Sequence, residues 1–408
     1  MRIWLRGCSQ ILVLGPAITE IAAVLAELTM TTAASAAPAD SPDIALLAVP
    51  VLLALSGAAL RFCAYLSITA QPSAQGFVDA MCVWDCTWYA NIVEHGYQAY
   101  PETLNFGGPA GIANWAFFPA YPLLVAAVQR LSGAPPALLG MLVSSLLTLG
   151  AVLVARPLFG TERRAYLLFA AFLLVGPFSF YFSILYSESL FLLATVLAFR
   201  LLQRGKFVAA GLAGALLSAT RTVGVLFVFA LLVAAVGELR HRPWREAVRR
   251  PDVLLGLLLA PAGLFAFMAW LYFTTGDALA FAHIQRAWDR EMVNPALALW
   301  AALASPMGQV REAPLLALAS LAGLALTALL AIRRDVPAAI FCALCLGLAL
   351  TQGVESMLRF VAALAPLGIM LCRLLAARRW LFWLSLVVFA GLDFAFTIGW
   401  MHQHGALM

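Results

Sequence analysis

Apolar runs of roughly membrane-spanning length follow one another along most of this sequence. A helix needs about 20 apolar residues to cross the hydrocarbon core of a bilayer, with a usable range of about 17 to 25. Runs of this kind occupy residues 44–66, 137–155, 165–182, 187–202, 207–220, 222–236, 253–273, 314–332, 337–351, 357–375 and 380–400. Only 11% of the residues are charged, against about 25% in soluble domains. We therefore predict an all-α polytopic membrane protein with about eleven transmembrane helices.

Most basic residues fall in short clusters between the apolar runs. If successive runs cross in alternate directions, five clusters lie on the same side: Arg156, Arg163 and Arg164; Arg200, Arg204 and Lys206; Arg240, Arg242, Arg245, Arg249 and Arg250; Arg333 and Arg334; Arg373, Arg378 and Arg379. The positive-inside rule makes that side cytoplasmic. A net charge of +5 located in such turns suits anionic lipid headgroups better than a nucleic-acid groove, and no nucleic-acid motif is present.

One long segment contains no lysine or arginine at all. It extends from residue 62 to residue 129 and carries four acids, Asp79, Asp85, Glu94 and Glu102. Its lack of positive charge indicates the non-cytoplasmic side. We predict an external loop over about residues 67–136, containing short amphipathic helices.

The first 43 residues are a separate N-terminal segment. Arg2 and Arg6 precede an apolar stretch and a run of small residues over 33–39, a pattern similar to a signal peptide. Glu20 and Glu27 interrupt the apolar stretch, so an extra span or an interfacial helix fits as well. Residues 44–408 are predicted to form a single transmembrane domain.

Two of the seven cysteines, Cys82 and Cys86, fall in the predicted external loop. A disulfide is chemically allowed on that side of a membrane. If the segment is one continuous helix, however, an i, i+4 spacing places the two sulfur atoms poorly for a bond. We therefore expect neither a disulfide nor a metal site here.

Asp85 is the main candidate for chemistry in the loop. Helical spacing would stack Trp84, Trp88 and Ile92 on one side, with Asp85 and Tyr89 on its edge. Such a helix suits the membrane interface and would hold Asp85 near the lipid headgroups. A role for Asp85 as helix cap and a role as catalyst are equally supported by this pattern.

The end of that helix and the segment after it supply further candidates. Glu94 and His95 fit solvated polar residues at a helix end better than ligand-binding groups. Phe118 and Tyr121 lie in an aromatic stretch interrupted by prolines, which predicts a kinked entry into the membrane. These aromatic rings either pack against a sugar or an isoprenoid chain or anchor the helix at the interface.

Charged residues at the edges of apolar runs are expected to have specific partners. Glu188 and Arg221 either pair with each other or bind substrate. Arg359 and Arg221 are the leading candidates to bind a phosphate group through their forked donors, followed by Arg286, which is next to Gln285 in a predicted surface helix. Snorkelling of the arginines to lipid headgroups is the alternative. Arg61, inside an apolar run, is also expected to have a partner.

Several short motifs in order resemble those of the PIG-V-like mannosyltransferases. They are Trp84-Asp85, Trp88-Tyr89, Gly96-Tyr97, Phe117-Phe118-Pro119, Tyr121-Pro122, Pro177-Phe178, Ser187-Glu188-Ser189, Ser218-Ala219-Thr220-Arg221, and Ser356 with Arg359. The resemblance extends over about residues 84–366. This sequence departs from the commoner family pattern at Cys86-Thr87, where small residues or glycine are usual.

The resemblance implies a GT-C glycosyltransferase fold and transfer of mannose from a polyprenyl-phosphate donor on the non-cytoplasmic face. Asp85 matches the acid that would act as base. The resemblance and the chemistry above give two sets of expected ligands: Arg359, Arg221 and Arg286 for the donor phosphate, and Trp84, Trp88, Tyr89, Glu94, His95, Phe118, Tyr121, Glu188 and Gln285 for substrate. Neither a cofactor nor a metal is required by such a reaction.

The expected partners are membrane lipid, a polyprenyl-phosphate hexose and a glycan, glycolipid or protein acceptor, but no nucleic acid. The expected location is a bacterial inner membrane, with the site facing the periplasm. A transporter or flippase of lipid-linked sugars, or a noncatalytic membrane assembly subunit, has the same general sequence features.

Overall fold

A computed structural model describes residues 42–100, 111–239, 250–288, 292–304 and 313–407. Over these ranges the chain is helical, and no strand is present. The helices are α1 (Pro42–Ile68), α2 (Ala74–Met81), α3 (Asp85–His95), α4 (Ala120–Ser132), α5 (Pro136–Ala155), α6 (Arg163–Leu174), α7 (Glu188–Gln203), α8 (Phe207–Thr220), α9 (Phe227–Leu239), α10 (Pro251–Leu259), α11 (Ala262–Thr275), α12 (Ala280–His283), α13 (Pro295–Ala304), α14 (Ala313–Ile332), α15 (Val336–Leu350), α16 (Met357–Ala363), α17 (Ala365–Ala376) and α18 (Arg379–Met401). The predicted N-terminal segment lies almost entirely outside the described residues.

Within the described ranges, four helices are long and apolar enough to cross a membrane: α1 over Ala48–Ile68, α5 with its 3₁₀ extension to Phe159, α14 and α18. Two bent pairs, α10 with α11 and α16 with α17, bring the number to six if each pair forms one span. Several other helices, including α8 and α15, are apolar but shorter. These features are those of an integral membrane protein, while the GT-C fold and the count of about eleven spans remain predictions.

Helix boundaries follow from proline and glycine positions. α5, α10, α15 and α17 each have a proline within their first two residues, where a missing N–H group costs no hydrogen bond. α4 ends at Gly133, whose left-handed conformation is easily adopted only by glycine. The α16–α17 pair bends by 79° at Leu364, two residues before Pro366.

Besides two small apolar groups, the described helices form two large buried clusters. The larger one lies among α5 to α9, α15 and α17. The smaller one joins the α2–α4 region to the turn before α7 and to the end of α18, and it includes Tyr89, Tyr121, Tyr186 and Trp400. Gly140 of α5 lets this turn approach closely, because a Cβ atom there would collide with Leu185. The turn before α7 is thereby held against α5, and Tyr89 of α3 donates a hydrogen bond to Ser187 at the end of this turn.

A buried ionic group lies outside this aromatic cluster. Arg61 of α1 donates hydrogen bonds through Nη1 to Ser179 Oγ at 2.7 Å and to Asp393 Oδ2 of α18 at 3.5 Å. Ser179 in turn donates to Asp393 Oδ1 at 2.7 Å. The expectation that Arg61 has a specific partner is confirmed, and Asp393 is that partner.

Candidate functional site

Four charged side chains from four parts of the chain form a continuous ionic cluster. Arg359 Nη1 donates a hydrogen bond to Asp85 Oδ2 at 2.6 Å. Arg359 Nε lies 3.2 Å from Glu188 Oε1, and the same oxygen accepts a hydrogen bond from Arg221 Nη1 at 2.6 Å. The cluster, with the members Asp85, Arg359, Glu188 and Arg221, has two formal charges of each sign.

Asp85 is the most accessible member of the cluster. Its side chain is 31% exposed, whereas the side chains of Arg359 and Glu188 are 7% and 2% exposed. A substrate approaching from the loop side would therefore meet the carboxylate first and the buried arginine behind it. Asp85 is also the first residue of α3, and no side-chain hydrogen bond caps that helix. The alternative role of Asp85 as a helix cap is not supported.

A disulfide links Cys82 and Cys86, contrary to our expectation from the sequence. That expectation assumed one continuous helix, but α2 ends at Met81 and α3 begins at Asp85. Trp84, between the two helices, has a φ of 56°, which is uncommon for a residue other than glycine. The break brings the two cysteine Cα atoms within 5.2 Å. For the same reason Trp84 does not continue the helical stack with Trp88 and Ile92.

Tyr186, in the turn before α7, connects the cluster to this break. Its hydroxyl accepts a hydrogen bond from the backbone N–H of Asp85 at 3.0 Å and donates one to the carbonyl of Val83 at 3.2 Å. Its ring lies 5.3 Å from the Arg359 guanidinium carbon. Burial, and next the charge of Asp85, raise the pKa of the Tyr186 phenol well above its ordinary value. The hydroxyl therefore remains protonated and able to donate.

Each arginine is held by a local irregularity in the backbone. Arg359 lies in the first turn of α16, which follows Ser356 in a left-handed conformation with a φ of 60°. Arg221 follows α8 in an extended conformation, before a 3₁₀ turn over Thr222–Leu226. The Arg221 guanidinium carbon lies 4.6 Å from the centroid of the Phe360 ring. Both arginines thus lie at helix termini, Arg359 in the first turn of α16 and Arg221 directly after α8.

Some polar atoms around the cluster are buried without a hydrogen-bond partner among the described residues. They are Glu188 Oε2, Ser356 Oγ, Trp84 Nε1 and Arg359 Nε, although Arg359 Nε makes the ionic contact with Glu188. Buried polar groups are normally satisfied, so such atoms on two members of the cluster, and on residues close to its members in the chain, need an explanation. They give the site additional donors and acceptors for a polar ligand.

The aromatic candidates fall into two groups. Tyr89 and Tyr121 are buried in the protein core, whereas Trp88 lies near Asp85 and is only partly buried. Tyr89 donates to Ser187 Oγ at 2.9 Å, and Tyr121 is fully buried and 2.6 Å from Ser144 Oγ. Burial raises the pKa of Tyr89, with the charge of Glu188 the next cause. Trp88, one helical turn after Asp85, stacks on Phe117 with ring centroids 5.8 Å apart. Trp88 is therefore the aromatic candidate best placed to contact a substrate at Asp85.

The remaining candidates lie away from the cluster. Phe118 packs against Phe267 and Phe281 in a separate apolar group. Glu94 and His95 are exposed at the end of α3, as expected for solvated residues. Gln285 and Arg286 lie in a 3₁₀ turn over Ile284–Trp288, and no ion pair within the described chain joins Arg286 to the cluster.

Three contributors to the site were not identified from the sequence: the disulfide, Tyr186 and Trp288. Trp288 lies at the end of the 3₁₀ turn and packs edge-on against Trp88, with centroids 5.5 Å apart. A tyrosine within an aromatic run resembles an ordinary core residue, so Tyr186 gives no distinct signal. Over the described residues, no group of three or more histidine, cysteine, aspartate or glutamate side chains could hold a metal ion.

Comparison of the chain with models of known protein families finds no match, and comparison with curated protein sequences finds none either. The resemblance to PIG-V-like mannosyltransferases therefore remains a hypothesis based on short motifs.

Proposed function

We propose that this chain is a membrane glycosyltransferase that transfers a hexose from a polyprenyl-phosphate donor to an acceptor hydroxyl. The hexose is mannose if the resemblance holds. The observation that carries the proposal is the contact between Asp85 and Arg359, reinforced by Glu188 and Arg221. A candidate base and two candidate phosphate ligands, chosen separately from the sequence, form one connected group.

The cluster supplies the two functions that such a transfer needs. Asp85 accepts the proton of the acceptor hydroxyl while the hydroxyl oxygen bonds to the anomeric carbon. The bond between that carbon and the phosphate oxygen breaks, and the phosphate leaves with the electron pair on the opposite face, which inverts the configuration. Arg359 and Arg221 stabilise the charge that develops on the phosphate. Glu188 holds the two guanidinium groups close together before the donor binds.

The position of the cluster along the helices supports a site on the non-cytoplasmic face. Glu188 lies in the first turn of α7 and Arg204 directly after its last turn. A helix of 16 residues is about 24 Å long. The basic cluster of Arg200, Arg204 and Lys206 therefore lies at the opposite end of α7 from the site. A disulfide next to Asp85 also favours an oxidising compartment. We accordingly propose that the protein resides in the bacterial inner membrane with the site facing the periplasm.

A small apolar void lies next to Arg221, and its other lining residues are Phe191, Val223, Cys345, Phe360, Ala363 and Leu364. It has room for about one water molecule, so it does not by itself accommodate an isoprenoid chain. A phosphate bound by Arg221 would nevertheless have apolar side chains beside it.

The direct test uses purified protein in lipid nanodiscs with a polyprenyl-phosphate hexose. Release of polyprenyl phosphate and formation of a glycosylated acceptor, followed by mass spectrometry, would support the proposal. The acceptor can be found by comparing glycans and glycolipids from cells with and without the protein. If the glycans and glycolipids are the same in cells with and without the protein, and no transfer occurs in nanodiscs, this function is ruled out.

A transporter of lipid-linked sugars is the second candidate, because the two bent helix pairs favour it. Broken helices are common at the substrate sites of transporters, and bends of 44° and 79° occur in α10–α11 and α16–α17. Reconstituted vesicles separate the two functions. Movement of the lipid-linked sugar across the bilayer without glycosyl transfer would decide for the transporter.

A further inference from the structure

The disulfide encloses Asp85 in a small covalent ring. The ring runs through residues 82–86, from the end of α2 to the second residue of α3. Asp85 is bonded directly to Cys86, so any change in the distance between the two cysteines moves the backbone of the candidate base. Cys86 is fully buried, while Cys82 is partly exposed and accessible to a reductant.

Tyr186 holds the same ring from the opposite side. One hydroxyl group binds both the carbonyl of Val83 and the N–H of Asp85. Between these two residues, Trp84 has its unusual positive φ. A residue keeps such a conformation only where its surroundings enforce it. The disulfide and the Tyr186 hydroxyl are the two constraints that meet at this point.

We propose that the Cys82–Cys86 disulfide and Tyr186 are positioning elements that hold Asp85 against Arg359, and that the site therefore reaches its full rate only when this cysteine pair is oxidised. The catalytic part of this inference rests on the proposed function, whereas the positioning part rests on the geometry alone. The bond forms when two thiols pass two electrons and two protons to an external disulfide oxidant, which becomes a dithiol. A chain that has not yet met this oxidant would hold its base out of place.

The positioning part is tested by hydrogen exchange, which does not require activity. Full-length protein in nanodiscs is measured before and after reduction with a phosphine, alongside a Cys82→Ser/Cys86→Ser variant. We expect the amides of residues 83–94 to exchange about tenfold faster, or more, after reduction and in the variant. Peptides from α5 and α7 should not change.

Cys63→Ser is the matched control, since Cys63 is an exposed free thiol on α1. This variant should exchange like the unmodified protein, both before and after reduction. Alkylation of the unreduced protein, followed by mass spectrometry, should leave Cys82 and Cys86 unlabelled. Labelled Cys82 and Cys86 in protein made in an oxidising compartment, or unchanged exchange after reduction, would overturn the inference.

Kinetics test the catalytic part. Reduction should lower kcat by about tenfold or more, since small misplacements of catalytic groups are costly, while the KM for the donor stays within about twofold. Reoxidation should restore kcat. Tyr186→Phe, which keeps the ring beside Arg359 but lacks the hydroxyl, should also lower kcat.

The results separate the two hypotheses. If the oxidised protein transfers no sugar but its exchange still depends on the disulfide, the proposed function fails and the positioning role remains. If the oxidised protein transfers sugar and reduction leaves kcat unchanged, the function stands and the inference is wrong.

Discussion

Asp85 and Arg359 lie 274 positions apart in the chain, and their side chains meet at 2.6 Å. The carboxylate is the partly exposed partner, and the guanidinium is almost completely buried. The contact therefore joins the start of α3 to the first turn of α16. It also provides the clearest way to test the proposed chemistry.

Asp85→Asn should lower kcat by about 10²- to 10⁴-fold, the usual contribution of a general base. Asparagine keeps the size of the side chain but cannot accept the proton. Initial rates with a polyprenyl-phosphate hexose provide the measurement. Asp79→Asn is the matched control, because Asp79 is an exposed acid on α2 that accepts a hydrogen bond from Gln75. Full turnover by a correctly folded Asp85→Asn protein would eliminate Asp85 as the base.

Arg359→Lys should weaken donor binding by about 1.5 to 3 kcal/mol, the range for hydrogen bonds to charged groups. Lysine keeps the positive charge but not the forked donors. Equilibrium binding of the polyprenyl-phosphate donor measures the effect. Arg130→Lys, at an exposed arginine in the last turn of α4, should bind the donor normally. Equal affinities for the two variants would remove Arg359 from phosphate binding.

Glu188→Gln should destabilise the protein by about 3 to 5 kcal/mol, since it leaves the largely buried Arg221 without its carboxylate and Arg359 with Asp85 alone. Glu162→Gln breaks an exposed ion pair with Arg373 and should cost no more than about 1 kcal/mol. Unfolding in one detergent, followed by tryptophan fluorescence, compares the two variants. If Glu162→Gln proved as damaging as Glu188→Gln, burial would not explain the role of Glu188.

The Arg61–Asp393 pair should matter for stability rather than for chemistry. Arg61→Met leaves a buried carboxylate without its cation, which typically costs about 3 to 5 kcal/mol. Adding Asp393→Leu removes that charge too and should restore much of the loss. Unfolding of both variants provides the measurement, and their donor KM should match that of the unmodified protein. A double variant less stable than Arg61→Met would contradict this account.

Asp335 predicts a pH dependence of stability. Burial raises the pKa of this carboxyl above its ordinary value, although the charge of Arg373 opposes the change. The folded state thus binds the proton more tightly, and stability falls as the pH rises through the raised pKa. Asp335→Asn still caps α15 but carries no charge. It should be more stable than the unmodified protein near pH 7, with the difference vanishing below about pH 3.9.

Unfolding at a series of pH values measures this difference. Asp277→Asn is the comparison, because Asp277 is exposed and its hydrogen bond with His283 lowers its pKa. Asp277→Asn should instead be less stable than the unmodified protein near pH 7, and this difference should vanish at low pH. A constant difference between Asp335→Asn and the unmodified protein across the pH range would contradict the prediction.

The sequence identifies the charged residues of the site better than their geometry. Acids and arginines at the edges of apolar runs need partners, and this reasoning selected Glu188, Arg221 and Arg359. Asp85 was selected separately, as an acid among the aromatic residues of the long loop. This reasoning could not pair Arg359 with Asp85. The positions of charged residues relative to apolar runs predict the side of the membrane on which each residue lies, but not which residues are in contact. The alternative that Glu188 and Arg221 pair with each other is confirmed, with Arg359 as an additional partner.

Helix breaks were the main source of error in predicting the helices and the disulfide from the sequence. The turn at Val83-Trp84 contains neither glycine nor proline, so no sequence signal separated α2 from α3. The disulfide, although chemically allowed at these positions, was not expected because a single continuous helix was assumed. By contrast, the apolar run over 165–182 does contain a break signal, Gly176-Pro177, and α6 ends shortly before it at Leu174. Counting apolar residues alone therefore overestimates the length of continuous helices.

One oxygen atom of Glu188 contacts both arginines of the cluster. Substitutions at residues that share a partner are not additive, so the effects of changing Arg221 and Arg359 should depend on whether glutamate is present at position 188. In an evolving population, a change at any one of the three positions would alter which changes the other two can tolerate. Lineages that replace one of the three residues should therefore tend to replace the other two as well.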